Sequence, residues 1–340
     1  MPAKGTRKKE MDKAEYIGAI SKFKTLIVLT LVGSVVVFIA IALLGGVTQV
    51  ISTIESAKLY LFIAAFVLVF CGMLTRFGRW SYCLKTLKIK IPFKKSFAAY
   101  MSLYSMDITP GRVGRIVAGY TINRVSNSKF MKVAPIITID IFSDFVGFAI
   151  LALITSFFFH QFFWYVVVFV ILLSISFVFL LHEGASNLMK KSSFLRKLMG
   201  RFTADIKDYY SSQNALNKKN VYLRALVYTI PAELMDSLAL YFSAIAIGIK
   251  AYAAQSVFIY SVAQIFGMVS ALPGSVGVTD GTMVVLLRST FHISTALSSA
   301  ATIMTRLSTL WFSVIVGMIF FLYTLRYWDA DKKKQKKGKK

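Results

Sequence analysis

The stretch that decides the fold is Ser270-Ala-Leu-Pro-Gly-Ser-Val-Gly-Val-Thr-Asp-Gly281, which interrupts a long apolar run. Its centre, Pro273 to Gly277, has the pattern Pro-Gly-x-Val-Gly, and the same pattern occurs at Pro110 to Gly114. Proline breaks helices, and irregular backbone at membrane depth is tolerated only inside protein or beside a water-filled cavity. We therefore predict two broken-helix elements that face each other inside a membrane. They are called the first and second Pro-Gly motifs below.

Composition places the chain among integral membrane proteins. Hydrophobic residues make up 56% of its 340 residues and the mean hydropathy is +0.65, whereas soluble domains hold about 45–50% apolar residues. The excess lies in runs close to the roughly 20 residues that a helix needs to cross a bilayer. No polar stretch is long enough for a separate soluble domain of about 50 residues.

The net charge is +25, from 40 Lys and Arg against 15 Asp and Glu. The cations collect in the loops and tails between apolar runs, as they do on cytoplasmic flanks, so we predict no nucleic-acid partner. Both termini are basic, which predicts a multi-pass cell-membrane protein with both ends in the cytoplasm. The basic tails are expected to contact anionic lipid headgroups.

The apolar runs predict an all-α chain with about six full spans and two opposed re-entrant hairpins, arranged as an inverted repeat. A single transmembrane domain is expected at 26–326, with a cytoplasmic loop at about 183–220. A basic cytoplasmic segment at 1–25 precedes this domain and a basic, disordered tail at 327–340 follows it. The expected full spans are 26–45, 59–74, 133–159, 163–181, 221–249 and 295–325.

Charged residues within the predicted membrane elements are the candidate site, because a charge at a helix centre costs about 2.5–3.5 kcal/mol on insertion scales. Arg112 and Arg306 are expected to hold an anionic headgroup, since a guanidinium offers planar bidentate donors. The half-helices that begin after the two motifs would point their N-terminal backbone N–H groups at the same headgroup. The substrate-binding candidates are Arg112, Arg306, Asp144, Asp280, Pro110, Gly111, Gly114, Pro273, Gly274 and Gly277. Candidates for proton or ion coupling are Asp140, Glu233 and Asp236.

The alternative interpretation is that these charges are buried ion pairs that fix helix register. It is preferred for Asp140 and Glu233, because a carboxylate near the end of a span can simply reach water. Arg115 and Arg288 are expected to extend to the membrane interface. The two cysteines and three histidines show no metal-ligand spacing, and no phosphate-binding loop is present, so the sequence predicts no metal or nucleotide cofactor and no catalytic residue.

Taken together, the motifs resemble the lysylphosphatidylglycerol synthase transmembrane family, also called flippase-like membrane proteins. The pieces that carry the resemblance are Arg79-Trp80, Pro110 to Gly114, Asp144, Leu272 to Gly277, Asp280 and Arg306. Three positions depart from the family pattern: Arg115 stands where an acidic residue is usual, Ser275 replaces a glycine, and Asp280 replaces a glutamate. The resemblance implies movement of a lipid across the bilayer by a stand-alone form that lacks the soluble aminoacyltransferase domain.

Three functions remain open. The leading one is a transporter or flippase for an anionic phospholipid or a polyprenyl-phosphate-linked lipid, a substrate class that the resemblance implies. The second is a membrane-embedded transferase acting on a lipid-linked substrate, with Asp107 or Asp280 as its base or nucleophile. The third is a scaffold that recruits a soluble partner through the loop at 183–220. Small residues at Gly45, Gly46 and Gly147 would serve a homodimer or internal contacts equally.

Overall fold

The computed structural model describes residues 32–109, 115, 130–158, 164, 168, 206–270 and 272–337. Every regular element within these ranges is helical, which confirms the predicted all-α class. The helices in chain order are α1 (Val32–Gly45), α2 (Val47–Glu55), α3 (Leu59–Thr86), α4 (Phe93–Leu103), α5 (Phe130–Ser156), α6 (Ile206–Leu216), α7 (Lys219–Ala246), α8 (Ala253–Ser270), α9 (Val278–Phe291), α10 (Thr295–Arg306) and α11 (Phe312–Lys337). Short 3-10 segments lie at Tyr104–Met106 and Pro273–Ser275, and a π segment lies at Leu307–Trp311.

The protein is a multi-pass membrane protein. Four described segments are long and apolar enough to cross a bilayer: α3, the Lys132–Ser156 part of α5, α8, and Thr295–Thr324 across α10 and α11. A fifth would result if α1 and α2, which meet at an angle of 99°, form one broken span. The predicted span at 163–181 lies largely outside the described residues, so the count of six stays a prediction.

The second Pro-Gly motif produces the predicted break. It separates α8 from α9, and the two helices pack against each other as a hairpin. Gly274 and Gly277 have φ values of 61° and 87°, a region that glycine enters without the steric cost of a Cβ. Before the first motif, α4 and its 3-10 segment lead into a turn at Asp107 to Thr109; this stretch, Tyr104 to Thr109, is called the α4 turn.

Helical structure extends beyond the predicted spans in several places. α3 continues to Thr86, past the expected end of the span at 74, because buried side chains such as Phe77, Trp80 and Leu84 extend its apolar face. The sequence predicts an outer loop at 46–56, between the spans at 26–45 and 59–74, but α2 occupies most of it after Gly46 turns the chain with a φ of 81°. α11 runs to Lys337, whereas the sequence predicted a disordered tail from 327.

Small residues allow the close helix packing that positions the site. The space beside Gly72 on α3 is filled by Asp236 of α7, and the space beside Gly147 on α5 is filled by Thr229 and Glu233 of α7. A Cβ on Gly45 would meet Val50 and the backbone at Ala296. Gly45 and Gly147 therefore serve contacts within the chain.

Gly317 on α11 is expected to tolerate no side chain. A Cβ there would overlap backbone atoms of Tyr104 and Ser105 in the α4 turn, and backbone cannot move aside as a flexible side chain can. We expect Gly317→Ala to lower the free energy of unfolding by about 1–3 kcal/mol, the usual cost of overpacking a well-packed site. Thermal unfolding in detergent measures this loss.

The matched control is Gly281→Ala, because a Cβ on Gly281 in α9 meets nothing within 4 Å. Alanine favours a helix over glycine by about 0.8–1.0 kcal/mol, so this variant should be as stable as the wild type or more so. Equal stability of both alanine variants would contradict the close approach of α11 to the α4 turn.

Candidate functional site: a charged cavity

A cavity of about 50 Å³ lies where the α4 turn approaches the second Pro-Gly motif, with room for a few water molecules. Elements from both halves of the chain contribute to its wall. It is lined by Arg76, Tyr104, Asp107, Arg115, Asp144, Asp236, Tyr260, Gln264, Gly274, Ser275, Arg306, Thr309, Leu310 and Ser313. We call this space the charged cavity.

Arg76 of α3 binds two carboxylates of α7. Its Nε and Nη2 lie 3.1 and 2.6 Å from the two carboxylate oxygens of Glu233, and Nη2 also donates to Asp236 Oδ2 at 2.7 Å. Glu233 and Asp236 are one helical turn apart, so the same guanidinium can reach both. Arg76 is 5% exposed and Glu233 is 0% exposed. This contact fixes α3 against α7 inside the bundle.

Arg79, one turn later on α3, joins three helices. Its Nη2 donates to Asp140 Oδ1 and Asp144 Oδ1 of α5, both at 2.6 Å, and its Nε lies 3.0 Å from Asp140 Oδ1. Its Nη1 donates to Thr229 Oγ1 of α7 at 2.6 Å. The spacing of Asp140 and Asp144 by four residues places both on the face of α5 that meets this guanidinium.

Arg115 ties the α4 turn to α5. Its Nη2 donates to Asp107 Oδ2 at 2.7 Å and its Nη1 to Asp140 Oδ2 at 2.8 Å. The guanidinium also lies over the ring of Tyr104, 5.1 Å from the centroid, where a cation is attracted to the aromatic face. Arg115 is therefore buried in a set of ionic contacts beside the charged cavity.

Arg306 of α10 contacts the second Pro-Gly motif. Its Nη2 donates to the carbonyl oxygen of Gly274 at 2.7 Å. Its Nε lies 2.9 Å from Asp280 Oδ1, within ion-pair distance but without hydrogen-bond alignment. The other oxygen of Asp280 accepts the N–H of Gly277 at 2.7 Å, which caps the first turn of α9. The π segment follows Arg306 directly, a local geometry that occurs frequently at functional sites.

The structure corrects several expectations about individual residues. Asp140 and Glu233 do not reach water, because they are 2% and 0% exposed and bind arginines. Arg115 does not extend to the interface, since it is 2% exposed. Arg76 and Arg79 follow the predicted span at 59–74 and precede a lysine-rich stretch, a pattern that predicts a cytoplasmic flank, but both lie inside the bundle at 5% and 1% exposure. The sequence feature that indicates their burial is the apolar sequence that continues on both sides of the two arginines.

Some predicted site residues cannot be placed. Pro110, Gly111, Arg112 and Gly114 lie outside the described residues, so their roles stay predictions. Pro273 begins the 3-10 segment of the second motif. Arg288 is exposed near the end of α9. Among described residues, no group of three or more His, Cys, Asp or Glu side chains is arranged to hold a metal ion.

Two comparisons with known proteins bear on this site. A family model for the lysylphosphatidylglycerol synthase TM region matches residues 27–317, most of the chain. The match includes all of the residues that line the charged cavity. Comparison with curated protein sequences gives no match.

Proposed function

The chain belongs to the lysylphosphatidylglycerol synthase transmembrane-region family, and on that premise we propose that it moves a lipid across the bilayer. The headgroup passes through the charged cavity while the acyl or prenyl chains stay in the membrane. The observation that carries this proposal is the cavity itself, in which charged side chains from both halves of the chain converge inside an apolar helical bundle. Intramembrane charges generally mark substrate or ion pathways.

The arginines of the cavity favour an anionic headgroup. Arg76, Arg115 and Arg306 all line it, and a guanidinium fits a phosphate group with two parallel donors. The Nε of Arg306 makes no hydrogen bond within the described structure, although it lies beside Asp280, so it is available to an entering oxygen. We propose an anionic phospholipid or a polyprenyl-phosphate-linked lipid as the substrate.

The outer surface of the bundle suits the hydrocarbon part of such a substrate. Large apolar side chains are exposed on several helices, among them Val227 of α7, Val269 of α8, Val285 of α9 and Ile315 of α11. Exposed apolar surface of this kind faces lipid at no cost in a membrane protein. A lipid can therefore keep its chains against these helices while only its polar end enters the protein.

The transferase alternative has weaker support. Its two candidate bases are engaged in ionic contacts: Asp107 binds Arg115 through both oxygens, and Asp280 accepts from Gly277 and lies beside Arg306. Carboxylates held in this way already use their oxygens as acceptors for the protein's own donors and are poorly placed to approach a substrate. The scaffold alternative depends on the loop at 183–220, most of which lies outside the described residues.

The experiment is transport by the purified protein in phosphatidylcholine vesicles that carry labelled phosphatidylglycerol or a labelled polyprenyl phosphate. The test variant is Ser313→Leu, because Ser313 lines the cavity and a leucine there fills space without removing a charge. We expect at least a tenfold loss of lipid movement. The matched control is Ser289→Leu, an exposed serine on α9, which should transport at the wild-type rate.

Two outcomes would count against the proposal. Transport by Ser313→Leu at the wild-type rate, with a confirmed folded state, would exclude the cavity as the route. A new lipid product in vesicles supplied with an activated donor, in place of lipid movement, would favour the transferase. Mass spectrometry of the extracted lipids distinguishes product formation from movement.

A further inference from the structure

One end of the helical bundle carries a group of exposed basic side chains. At this end the chain passes from α3 to α4 through residues 87–92 and from α6 to α7 through residues 217–218. The two connections are neighbours, because the guanidinium of Arg224 near the start of α7 lies over the ring of Tyr82 near the end of α3, 5.6 Å from its centroid. The group, which we call the basic surface, consists of Lys85, Lys88, Lys90, Lys94, Lys218, Lys219 and Arg224, all exposed.

The chain supplies few acidic residues to this surface. The sequence has no aspartate or glutamate at 56–106 or at 209–232. Asp107 and Glu233, which follow these stretches, are buried and bind arginines. The stretches outside the described residues and the end of α11 do not reverse the charge, because each contains more lysine and arginine than aspartate and glutamate. These stretches are 1–31, 116–129, 169–205 and 326–340.

The basic surface lies where the apolar faces of the helices end. On α7, Lys219, Leu223 and Val227 follow one another at intervals of four residues, so they share a helical face. Leu223 and Val227 are exposed large apolar side chains, and each interval of four residues advances about 6 Å along the axis. An exposed apolar face of a membrane protein lies in hydrocarbon, so Lys219, one turn beyond it, lies at the level of the lipid headgroups.

Phe93 distinguishes a lipid surface from a soluble acidic partner. It lies between Lys90 and Lys94 in sequence and is 71% exposed. Its ring stacks on Phe97 with 6.0 Å between centroids and meets Phe77 edge-on at 5.5 Å. A large apolar ring and ammonium groups can both be satisfied side by side at the boundary between acyl chains and headgroups, where apolar side chains enter the bilayer and lysines remain at its surface.

Lys88 occupies a backbone position that normally belongs to glycine. Its φ is 56°, and it ends α3 in a Schellman motif, in which the N–H of Lys88 donates to the carbonyl oxygen of Lys85 at 3.0 Å and that of Ile89 to Leu84 at 2.9 Å. The left-handed conformation is unfavourable for a residue with a Cβ, and glycine is the usual residue at this point of the motif. Residues held in such conformations concentrate at functional positions, and what lysine adds here is a positive charge.

We propose that the basic surface is a binding site for anionic phospholipids in the leaflet that it faces, which the basic loops predict to be the cytoplasmic one. The ammonium groups donate to phosphate oxygens, while the acyl chains lie against the exposed apolar faces of the neighbouring helices. The site is separate from the charged cavity and requires no movement of lipid across the bilayer.

The test measures binding of phosphatidylglycerol and of phosphatidylcholine to the purified protein in neutral detergent by native mass spectrometry. We expect the wild type to prefer phosphatidylglycerol, and the preference to fall as ammonium acetate is raised because salt screens exposed charges. The pairs Lys88→Gln/Lys90→Gln and Lys218→Gln/Lys219→Gln should each lower the association constant for phosphatidylglycerol by about fivefold or more. Binding of phosphatidylcholine should not change.

The matched control is Lys58→Gln/Lys250→Gln, which removes the same charge from two exposed lysines at the opposite end of the bundle. There the N–H of Lys58 donates to the carbonyl oxygen of Ala246 at the end of α7. The control should bind phosphatidylglycerol as the wild type does. Equal losses in the control and the two basic pairs would mean that net charge alone attracts the lipid, and would overturn the proposal. Wild-type binding by both basic pairs would also overturn it and leave a soluble acidic protein as the occupant.

A second comparison separates the charge of Lys88 from its effect on folding. Lys88→Gly and Lys88→Gln should lose phosphatidylglycerol affinity by the same factor, whereas Lys88→Gly should unfold at a temperature no lower than the wild type because glycine suits the backbone there. Wild-type lipid binding by Lys88→Gly would contradict the use of this charge for lipid.

Failure of this proposal can be distinguished from failure of the proposed transport. A protein that moves lipid but shows no preference for phosphatidylglycerol would overturn the binding site alone. A protein that binds phosphatidylglycerol at the basic surface but moves no lipid would overturn the transport alone.

Discussion

Replacing Arg79 with alanine is expected to lower the free energy of unfolding by about 3–5 kcal/mol, the range found when one partner of a buried ion pair is removed. Arg79 is 1% exposed and donates to Asp140, Asp144 and Thr229. Without it, two carboxylates of α5 lose a common countercharge in the interior of the bundle. Thermal or denaturant unfolding in detergent, followed by tryptophan fluorescence, measures the loss.

Two further variants define the cause of this effect. Arg224→Ala removes an exposed arginine on α7 that lies over the ring of Tyr82, and it should cost less than about 1 kcal/mol. Arg79→Lys keeps the charge but loses the planar fork of donors, so its stability should lie between those of the wild type and the alanine variant. Equal costs for Arg79→Ala and Arg224→Ala would contradict the buried network.

Arg306 allows the structural and functional roles of a buried charge to be separated. Arg306→Ala removes the cation beside Asp280, which is 0% exposed and would remain as an unpaired buried charge. We expect the free energy of unfolding to fall by about 3–5 kcal/mol. Lipid movement should be lost as well. The double variant Asp280→Asn/Arg306→Gln removes both charges and leaves no unpaired ion. It should recover most of the stability, since neutral replacement of a buried pair is often tolerated.

The double variant should nevertheless move no lipid, because the guanidinium proposed to bind the headgroup is absent. Unfolding in detergent and transport in vesicles are measured on the same preparations. Arg288→Ala, which removes an exposed arginine from α9, is the control and should match the wild type in both assays. Wild-type transport by the stable double variant would reduce Arg306 to a structural ion pair.

The helices and the second hairpin could be read from the sequence because local signals decide them. Pro273, Gly274 and Gly277 end one helix and begin the next. The sequence therefore predicts helices at 254–272 and 279–291, and these limits fall within two residues of those of α8 and α9. The long apolar run of α5 is an equally local signal. These features need no knowledge of what each helix contacts.

The partners of the buried charges could not be read in the same way. Arg76 and Arg79 follow a span and precede a lysine-rich stretch, which is the pattern of a cytoplasmic flank. What makes them internal is the presence of carboxylates on α5 and α7, which are 61 to 160 residues away in sequence. Arg115 was misinterpreted as well, although only one of its two partners is distant: Asp107 lies eight residues away, and Asp140 lies on α5. The identity of a distant partner, unlike the position of a helix break, leaves no local mark in the sequence.

The long sequence separation within the Arg76–Glu233 contact also constrains how the protein is made. The ribosome completes α3 well before it reaches α7, because 157 residues separate the two side chains. During that interval the second half of α3 carries two arginines whose α7 partners do not yet exist, and such a segment partitions poorly into lipid. We expect α3 to remain near the insertion machinery or shifted toward the cytoplasm until α7 emerges. Chains truncated before Lys219 should then be substrates for membrane quality control.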